Sequence, residues 1–166
     1  MSQPAFSTCD LCDANESDAS GAFRVLSSGL VDMGIARAFC GAVFTVRAPE
    51  DNSRVREAVN SPGAGRVLVV DGGGSLRVAL MGGNLAAAAA KNGWAGAVVD
   101  GCVRDRAELR AAGIPIRALA SAPMRSVKRG EGQVDLPVRI GGVRVNPGDW
   151  LYADEDGIVV SARPLI

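Results

Sequence analysis

The sequence predicts an α/β fold, with a parallel, helix-covered core followed by a β-rich C-terminal part. Three observations carry this expectation. Between Arg66 and Ala120, short apolar runs alternate with helical stretches rich in alanine or charge. Glycines close most of those segments. From Val138 onward the pattern changes to strand-like alternation around tight turns. Strand, helix, strand, helix, strand implies parallel pairing through right-handed crossovers. The chain has 166 residues, of which 48% are hydrophobic and 22% charged, so one domain over residues 1–166 can bury a core.

The elements follow in order. Residues 1–20 are polar and acidic, with Asp10, Asp13, Glu16 and Asp18, and read as a tail entering a short helix near Pro4–Ala14. Val43–Arg47 is a short β-branched run. Asn52–Asn60 reads as a small polar helix closed by Ser61, Pro62 and Gly63. Arg66–Val70 is an apolar run of buried-strand type that leads into Asp71–Ser75, which contains three successive glycines. Leu76–Leu80 is expected to be helical. A second glycine pair, Gly82 and Gly83, precedes Asn84, a candidate N-cap for the alanine-rich helix Leu85–Lys91; Asn92 and Gly93 form its stop. Ala95–Asp100 is the next strand, Gly101–Val103 a short turn, Arg104–Ala112 a helix stopped by Gly113, and Ile114–Ala120 a third strand. Val138–Ile140 and Val143–Val145 flank Gly141 and Gly142, a two-residue hairpin signature. Asn146–Asp149 is a turn, and Trp150–Ala153 and Ile158–Ser161 are strands around Asp154–Gly157.

Composition excludes several chemistries. There is no histidine, which removes Ser-His-Asp and Cys-His nucleophile pairs and His-ligated zinc. Eighteen basic and eighteen acidic residues leave zero formal net charge, so neither direct nucleic-acid binding nor an anionic membrane surface is expected. The four cysteines include a C-x-x-C at Cys9 and Cys12, but no second pair completes a zinc site and no strand precedes it. They read as ordinary reduced thiols of a cytoplasmic protein. Met1–Asp18 has no basic and apolar regions of signal-peptide type, and the longest low-charge apolar stretch, Val78–Ala90, is too short and glycine-rich to span a bilayer.

The remaining candidates lie at the C-terminal ends of strands, where open α/β sheets bind ligands. Gly82, Gly83 and Asn84 open a helix whose free N–H groups suit a carboxylate or phosphate, and Leu85 follows them. Arg104 can fork onto a carbonyl or carboxylate oxygen, and Asp105 can hold a hard divalent cation. Together they can stabilise an enolate. Plainer roles fit the same residues: glycine turns for packing, Asp105 at a helix start, and Glu108 pairing with Arg104 at i,i+4. The glycine-rich loops match neither a P-loop nor G-x-G-x-x-G. Arg125, Lys128 and Arg129 beside Gly130–Gly132 read as a solvated loop, and Asp154–Asp156 as a hairpin turn rather than a cation site.

In combination these residues resemble a known family. Gly82–Leu85, Asn92–Gly96, Val98–Asp105, Thr8–Asp13, Gly141–Val143, Pro147–Asp149, Tyr152–Asp154 and Asp156–Gly157 are similar to the RraA-like proteins, which include 4-hydroxy-4-methyl-2-oxoglutarate aldolases. The resemblance covers nearly the whole chain. It implies an α/β/β sandwich of the swivelling-domain type, a homotrimer or hexamer with sites between subunits, and cleavage of 4-hydroxy-4-methyl-2-oxoglutarate to two pyruvates with Mg²⁺ or Mn²⁺. It also implies oxaloacetate decarboxylation through the same pyruvate enolate. The family's aldolase signature is a glycine, twenty residues, Arg-Asp, two residues and an acid; here that is Gly82 or Gly83, Arg104, Asp105 and Glu108. By this resemblance Asp105 is the metal ligand, Arg104 binds the keto oxygen, and the amides of Gly82–Leu85 hold the pyruvyl carboxylate. Many of these aldolases carry an aspartate where this chain has Gly83, which leaves reduced activity, another water-organising residue or a different substrate. The alternative within the family is a protein-binding regulator that inhibits RNase E; Arg104–Asp105 favours the enzyme and Gly83 the regulator. A menaquinone methyltransferase role finds no obvious S-adenosylmethionine loop.

Overall fold

The computed structural model describes residues 5–27 and 29–166. In chain order the elements are α1 (Thr8–Asn15), β1 (Phe23–Val25), β2 (Val31–Asp32), β3 (Phe39–Arg47), α2 (Ser53–Val59), β4 (Val67–Asp71), β5 (Ala79–Met81) and α3 (Gly83–Lys91). They continue with β6 (Gly96–Val103), α4 (Arg106–Ala111), β7 (Ile116–Ser121), β8 (Gln133–Val134), β9 (Val138–Ile140), β10 (Val143–Val145), β11 (Trp150–Ala153) and β12 (Ile158–Ser161). The beginning of the helix expected from Pro4 lies outside the described residues; α1 itself starts after Ser7, whose side chain accepts from the Asp10 N–H.

Parallel pairing joins β3 to β4, β4 to β6 and β6 to β7, as the alternation of strands and helices implies. The antiparallel strands β11, β12 and β1 extend the same sheet beyond β3. The run Val67–Val70 is continuously apolar because both of its faces are covered. Leu68 and Val70 pack with Val55 and Val59 of α2, Ala86 and Ala89 of α3 and Leu109 of α4. Val67 and Val69 pack the other way, against Val138 and Ile140 of β9, Val145 of β10 and Leu151 of β11. Helices, central sheet and β-rich layer make the α/β/β sandwich. Complete burial of each such aliphatic side chain contributes about 1.5–3 kcal/mol.

The β9–β10 hairpin has both turn glycines at positive φ, Gly141 at 53° and Gly142 at 78°. That is the requirement of the two-residue turn its sequence announces. Helices α3 and α4 stop at the expected glycines, with Gly93 at φ 78° and Gly113 at φ 74°.

Several expectations are corrected. Leu76–Leu80 contains no helix; Ala79–Met81 is a strand, with Ala79 opposite Cys102 and Met81 opposite Val103. All three residues of β5 are buried, and a helix of five residues between glycine-rich turns is too short to offset its nucleation cost. Gly101–Val103 is likewise the end of β6 rather than a turn, because β5 and β7 flank it. Strand β3 begins at Phe39, four residues before its β-branched run, and Phe39, Gly41 and Val43 alternate inward. Gly82, not Asn84, is the N-cap of α3, and α4 starts at Arg106 rather than Arg104.

Candidate active site

Strands β5 and β6 run in parallel and deliver Gly82 and Arg104 to the same edge of the sheet. The Arg104 N–H donates to the Met81 carbonyl at 3.0 Å, which locks the two chain segments together. Arg104 Nη1 donates to the Pro123 carbonyl at 3.3 Å, and Nε stands 3.9 Å from Asp105 Oδ2. Asp105 occupies the left-handed region, φ 60° and ψ 50°. For a residue with a side chain this conformation costs roughly 1–2 kcal/mol, aspartate being among the residues that tolerate it. Its side chain does not cap its own helix; Oδ2 accepts instead from the Gly83 N–H at 3.1 Å. Strained backbone aimed at a particular contact is a feature of functional sites.

The two glycines are required by space. A Cβ on Gly82 would lie 2.7 Å from Asp105 Oδ2. A Cβ on Gly83 would collide with the Glu108 carboxylate and come within 2.6 Å of the Glu108 Cβ. Glu108 therefore occupies the room that a side chain at position 83 would fill. It does not pair with Arg104 among the described residues, because Arg104 precedes α4 and lies outside its i,i+4 geometry. Counting from Gly83 with twenty residues between it and Arg104, the acid of the signature motif thus folds back onto its glycine.

The first helical bond of α3 runs from the Ala86 N–H to the Gly82 carbonyl at 3.0 Å. The N–H groups of Gly83, Asn84 and Leu85 have no acceptor within the helix. Asp105 takes that of Gly83, so an incoming carboxylate is left Asn84 and Leu85, a narrower set than Gly82–Leu85.

A cavity of about 370 Å³ joins these groups: Gly82, Gly83, Asn84, Leu85, Arg104 and Asp105 all line it. Asn52, Arg56, Asn60, Arg125 and Lys128 line it as well. Arg125 and Lys128, expected in a solvated loop, instead line the cavity, and the sequence alone assigns no site role to Asn52, Arg56 or Asn60. The one available signal was the spacing of Asn52, Arg56 and Asn60 at i, i+4 and i+8 on α2.

The site offers few protein ligands to a divalent cation. Among the described residues no three His, Cys, Asp or Glu side chains cluster as a metal cage. Asp105, with 41% of its side chain exposed, offers one carboxylate. That fits a hard cation of the Mg²⁺ kind, which keeps several waters and takes one or two carboxylates together with substrate oxygens.

The other acidic and glycine-rich motifs serve the fold. Asp154 is buried and accepts from the Thr8 N–H at 2.7 Å and the Thr8 hydroxyl at 2.6 Å, tying α1 to the β11–β12 turn. Burial opposes its ionisation, but those hydrogen bonds prevail and hold its pKa low. Asp156 beside Cys9 raises that thiol, and burial raises Cys12, the reverse of an activated redox C-x-x-C. No helix among the described residues is long and apolar enough to cross a membrane.

Comparison with known proteins gives a consistent result. A family model described as RraA-like, Aldolase/RraA, matches residues 8–160. A protein of Albidiferax ferrireducens, provisionally named a 4-hydroxy-4-methyl-2-oxoglutarate aldolase, is 62% identical over 98% of this chain and 99% of its own length. The solved structure of the RNA-processing inhibitor RraA from Thermus thermophilis is 46% identical with a TM-score of 0.90, covering 97% of this chain and 95% of that one. A Geobacillus kaustophilus structure named as an S-adenosylmethionine:2-dimethylmenaquinone methyltransferase is 42% identical with a TM-score of 0.90, covering 96% and 97%.

Proposed function

This chain belongs to the RraA-like family, and we propose that within it the protein is a divalent-metal-dependent aldolase that cleaves 4-hydroxy-4-methyl-2-oxoglutarate to two pyruvates and decarboxylates oxaloacetate. The observation that carries the reading is the left-handed Asp105, its carboxylate fastened to the first amide of α3, beside Arg104 and with Glu108 packed over Gly83. Its high identity to a relative provisionally named as such an aldolase supports it.

Each residue has a step. The free N–H groups of Asn84 and Leu85, at the positive end of a nine-residue helix, bind the pyruvyl carboxylate. Arg104 donates to the keto oxygen, where negative charge grows as the substrate C3–C4 bond breaks. Asp105 would hold Mg²⁺ or Mn²⁺, which when bound would supply Lewis-acid stabilisation of that charge. Glu108 lies against Gly83 rather than in the cavity wall, so it removes the C4 hydroxyl proton through a water; the C3–C4 electron pair passes to C3, and the proton returns to C3 of the enolate. Oxaloacetate loses carbon dioxide to the same enolate, with no base needed for the cleavage step. In this proposal Glu108 stands in for the aspartate that the family resemblance implies at the Gly83 position.

A homotrimer or hexamer with sites between subunits is part of this proposal. Leu76, Met124 and Val127 support it: they are exposed apolar side chains on the segments that flank β5 and the cavity.

The test is pyruvate release from both substrates with Mg²⁺, Mn²⁺ or chelator, wild type beside Asp105→Ala. Metal-dependent release should fall at least a hundredfold in the variant. Equal release by both proteins would overturn the role of Asp105. A second reading, a binder that inhibits an RNase E-type ribonuclease, is favoured by the likeness to the Thermus inhibitor. No release from either substrate, with ribonuclease inhibition at stoichiometric protein, would make it the better one. The methyltransferase name of the Geobacillus neighbour has less support, since among the described residues no aromatic side chain lines the cavity to take an adenine ring.

A further inference from the structure

A second cavity, of about 500 Å³, opens at the other end of the parallel strands from Gly82 and Arg104 and shares no lining residue with the first. Its wall comes from β2, the start of β7, the segment before β3, the β11–β12 turn and the chain entering α1. Arg117 lines it and is only 5% exposed. This cation stands opposite Asp32 across the β2–β7 pair, with Nε 2.6 Å from Asp32 Oδ1, and its Nη2 donates to the Asp154 carbonyl at 2.6 Å. Both atoms of the Nε–Oδ1 contact are buried without an aligned hydrogen bond, so charge alone holds them. Nη1 has no acceptor among the described residues. A guanidinium carries five N–H donors, and burying it costs stability unless they are met.

The rest of the wall offers both signs of charge, unpaired. Arg37 precedes β3, and Glu155 and Asp156 lie in the β11–β12 turn. All three are exposed, and none makes a salt bridge among the described residues. Opposite charges that line one cavity without neutralising each other fit a ligand that itself carries both signs. Phe6, Ala36 and Ala38 add an apolar part to the wall. Phe6 is fixed edge-on against Tyr152, with ring centroids 5.4 Å apart. The turn is fixed as well. Asp154 ties it to Thr8 and accepts from the Asp156 and Gly157 N–H groups at 3.0 and 3.3 Å.

We propose that this cavity is a binding site for a free α-amino acid with an apolar side chain. The ligand's carboxylate pairs with Arg117 Nη1 and Arg37, and its ammonium with Glu155 and Asp156. Its side chain lies against Phe6, Ala36 and Ala38. The site stands apart from the oxo-acid chemistry, and neither depends on the other.

The experiment is NMR titration with L-leucine beside two probes that each lack one charge: 4-methylpentanoate, without the ammonium, and 3-methylbutylamine, without the carboxylate. Wild type should bind leucine with a dissociation constant of about 1 mM or tighter, and each probe at least about tenfold more weakly. Arg37→Gln should weaken leucine and 4-methylpentanoate about threefold to tenfold and leave 3-methylbutylamine as it was. Asp156→Asn should weaken leucine and 3-methylbutylamine and leave 4-methylpentanoate as it was. Both residues are exposed, so both variants keep the fold. Arg139→Gln, an equal loss of charge on exposed β9 surface, should change none of the three affinities. No leucine binding, equal binding of all three compounds, or a leucine affinity unmoved by both variants overturns the site. Leucine binding lost instead in Arg104→Gln would lie in the catalytic cavity and overturns it as well.

Discussion

Two glycine-rich loops leave strands β4 and β5, which both pair with β6, and they use glycine differently. After β4, Gly73 and Gly74 adopt φ 65° and 72°, with nothing within 4 Å of where a Cβ would stand. The Gly72 and Gly74 N–H groups both donate to the Asp100 carbonyl of β6, and the Gly73 N–H to Asp71 Oδ1, so the ends of the two adjoining strands take the loop's donors. After β5, Gly82 has an ordinary φ of −128°, yet it and Gly83 have no room for a side chain. The first loop needs glycine at 73 and 74 for their dihedral angles, and at 72 for space, where a Cβ would lie 2.5 Å from Leu80 Cδ1 and 2.7 Å from the Asp100 carbonyl. The second needs glycine for space and lets Asp105 and Glu108 approach a helix end. What marks Gly82 and Gly83 is not crowding alone but what crowds them, the carboxylates of Asp105 and Glu108.

Substitutions can break or sharpen that contrast. The largest effect is expected at the crowded loop's partner: Arg104→Lys keeps the charge but loses the planar fork, and kcat should fall about a hundredfold with the melting temperature unchanged. Wild-type turnover in that variant would remove Arg104 from the reaction. Gly83→Ala comes next. Its methyl displaces Glu108, so kcat should drop about tenfold, and more for the aldol substrate, which needs the base, than for oxaloacetate. Equal losses for both substrates would point to a general distortion of the site.

Gly73→Ala should do the reverse. It forces a left-handed alanine, costing about 1 kcal/mol and 2–4 °C of melting temperature, while pyruvate release stays at the wild-type level. The smallest effect is a pH dependence. Burial opposes ionisation of Asp51, but the Ser53 hydroxyl and the backbone donors outweigh it and hold the pKa at about 2, below its ordinary 3.8. The folded state then binds fewer protons than the unfolded state between those values. Its contribution is complete above about pH 4 and is lost as pH falls toward 2. Thermal unfolding from pH 5 to pH 2 should show wild type losing more stability than Asp51→Asn, which lacks the titrating group.

Much of the fold was legible in the chain itself. The runs Val67–Val70 and Ala97–Val99, the alanine-rich helix Leu85–Lys91 with its glycine stop, and the hairpin turn at Gly141 and Gly142 announce themselves because hydrophobic period and turn glycines act over a few residues, whereas the N-cap, expected at Asn84, is Gly82. Gly82–Leu85, Arg104 and Asp105 were legible as site candidates for the same reason: each closes or opens such an element. Strand β5 was misread as a helix because three apolar residues have no period, and only pairing with β6 decides their state.

What the sequence determined by itself was the alternation of elements and the edge at which chemistry can gather, since both follow from local pattern and parallel connectivity. Tertiary structure alone decided the rest: the left-handed turn that sends Asp105 across 22 residues of chain to the Gly83 amide, Glu108 lying over Gly83 rather than against Arg104, and Arg125 and Lys128 brought into one cavity with Asn52 and Arg56. Each is a contact between segments distant in the chain. Its geometry is set by how closely packed layers fit together, and no local pattern encodes that fit.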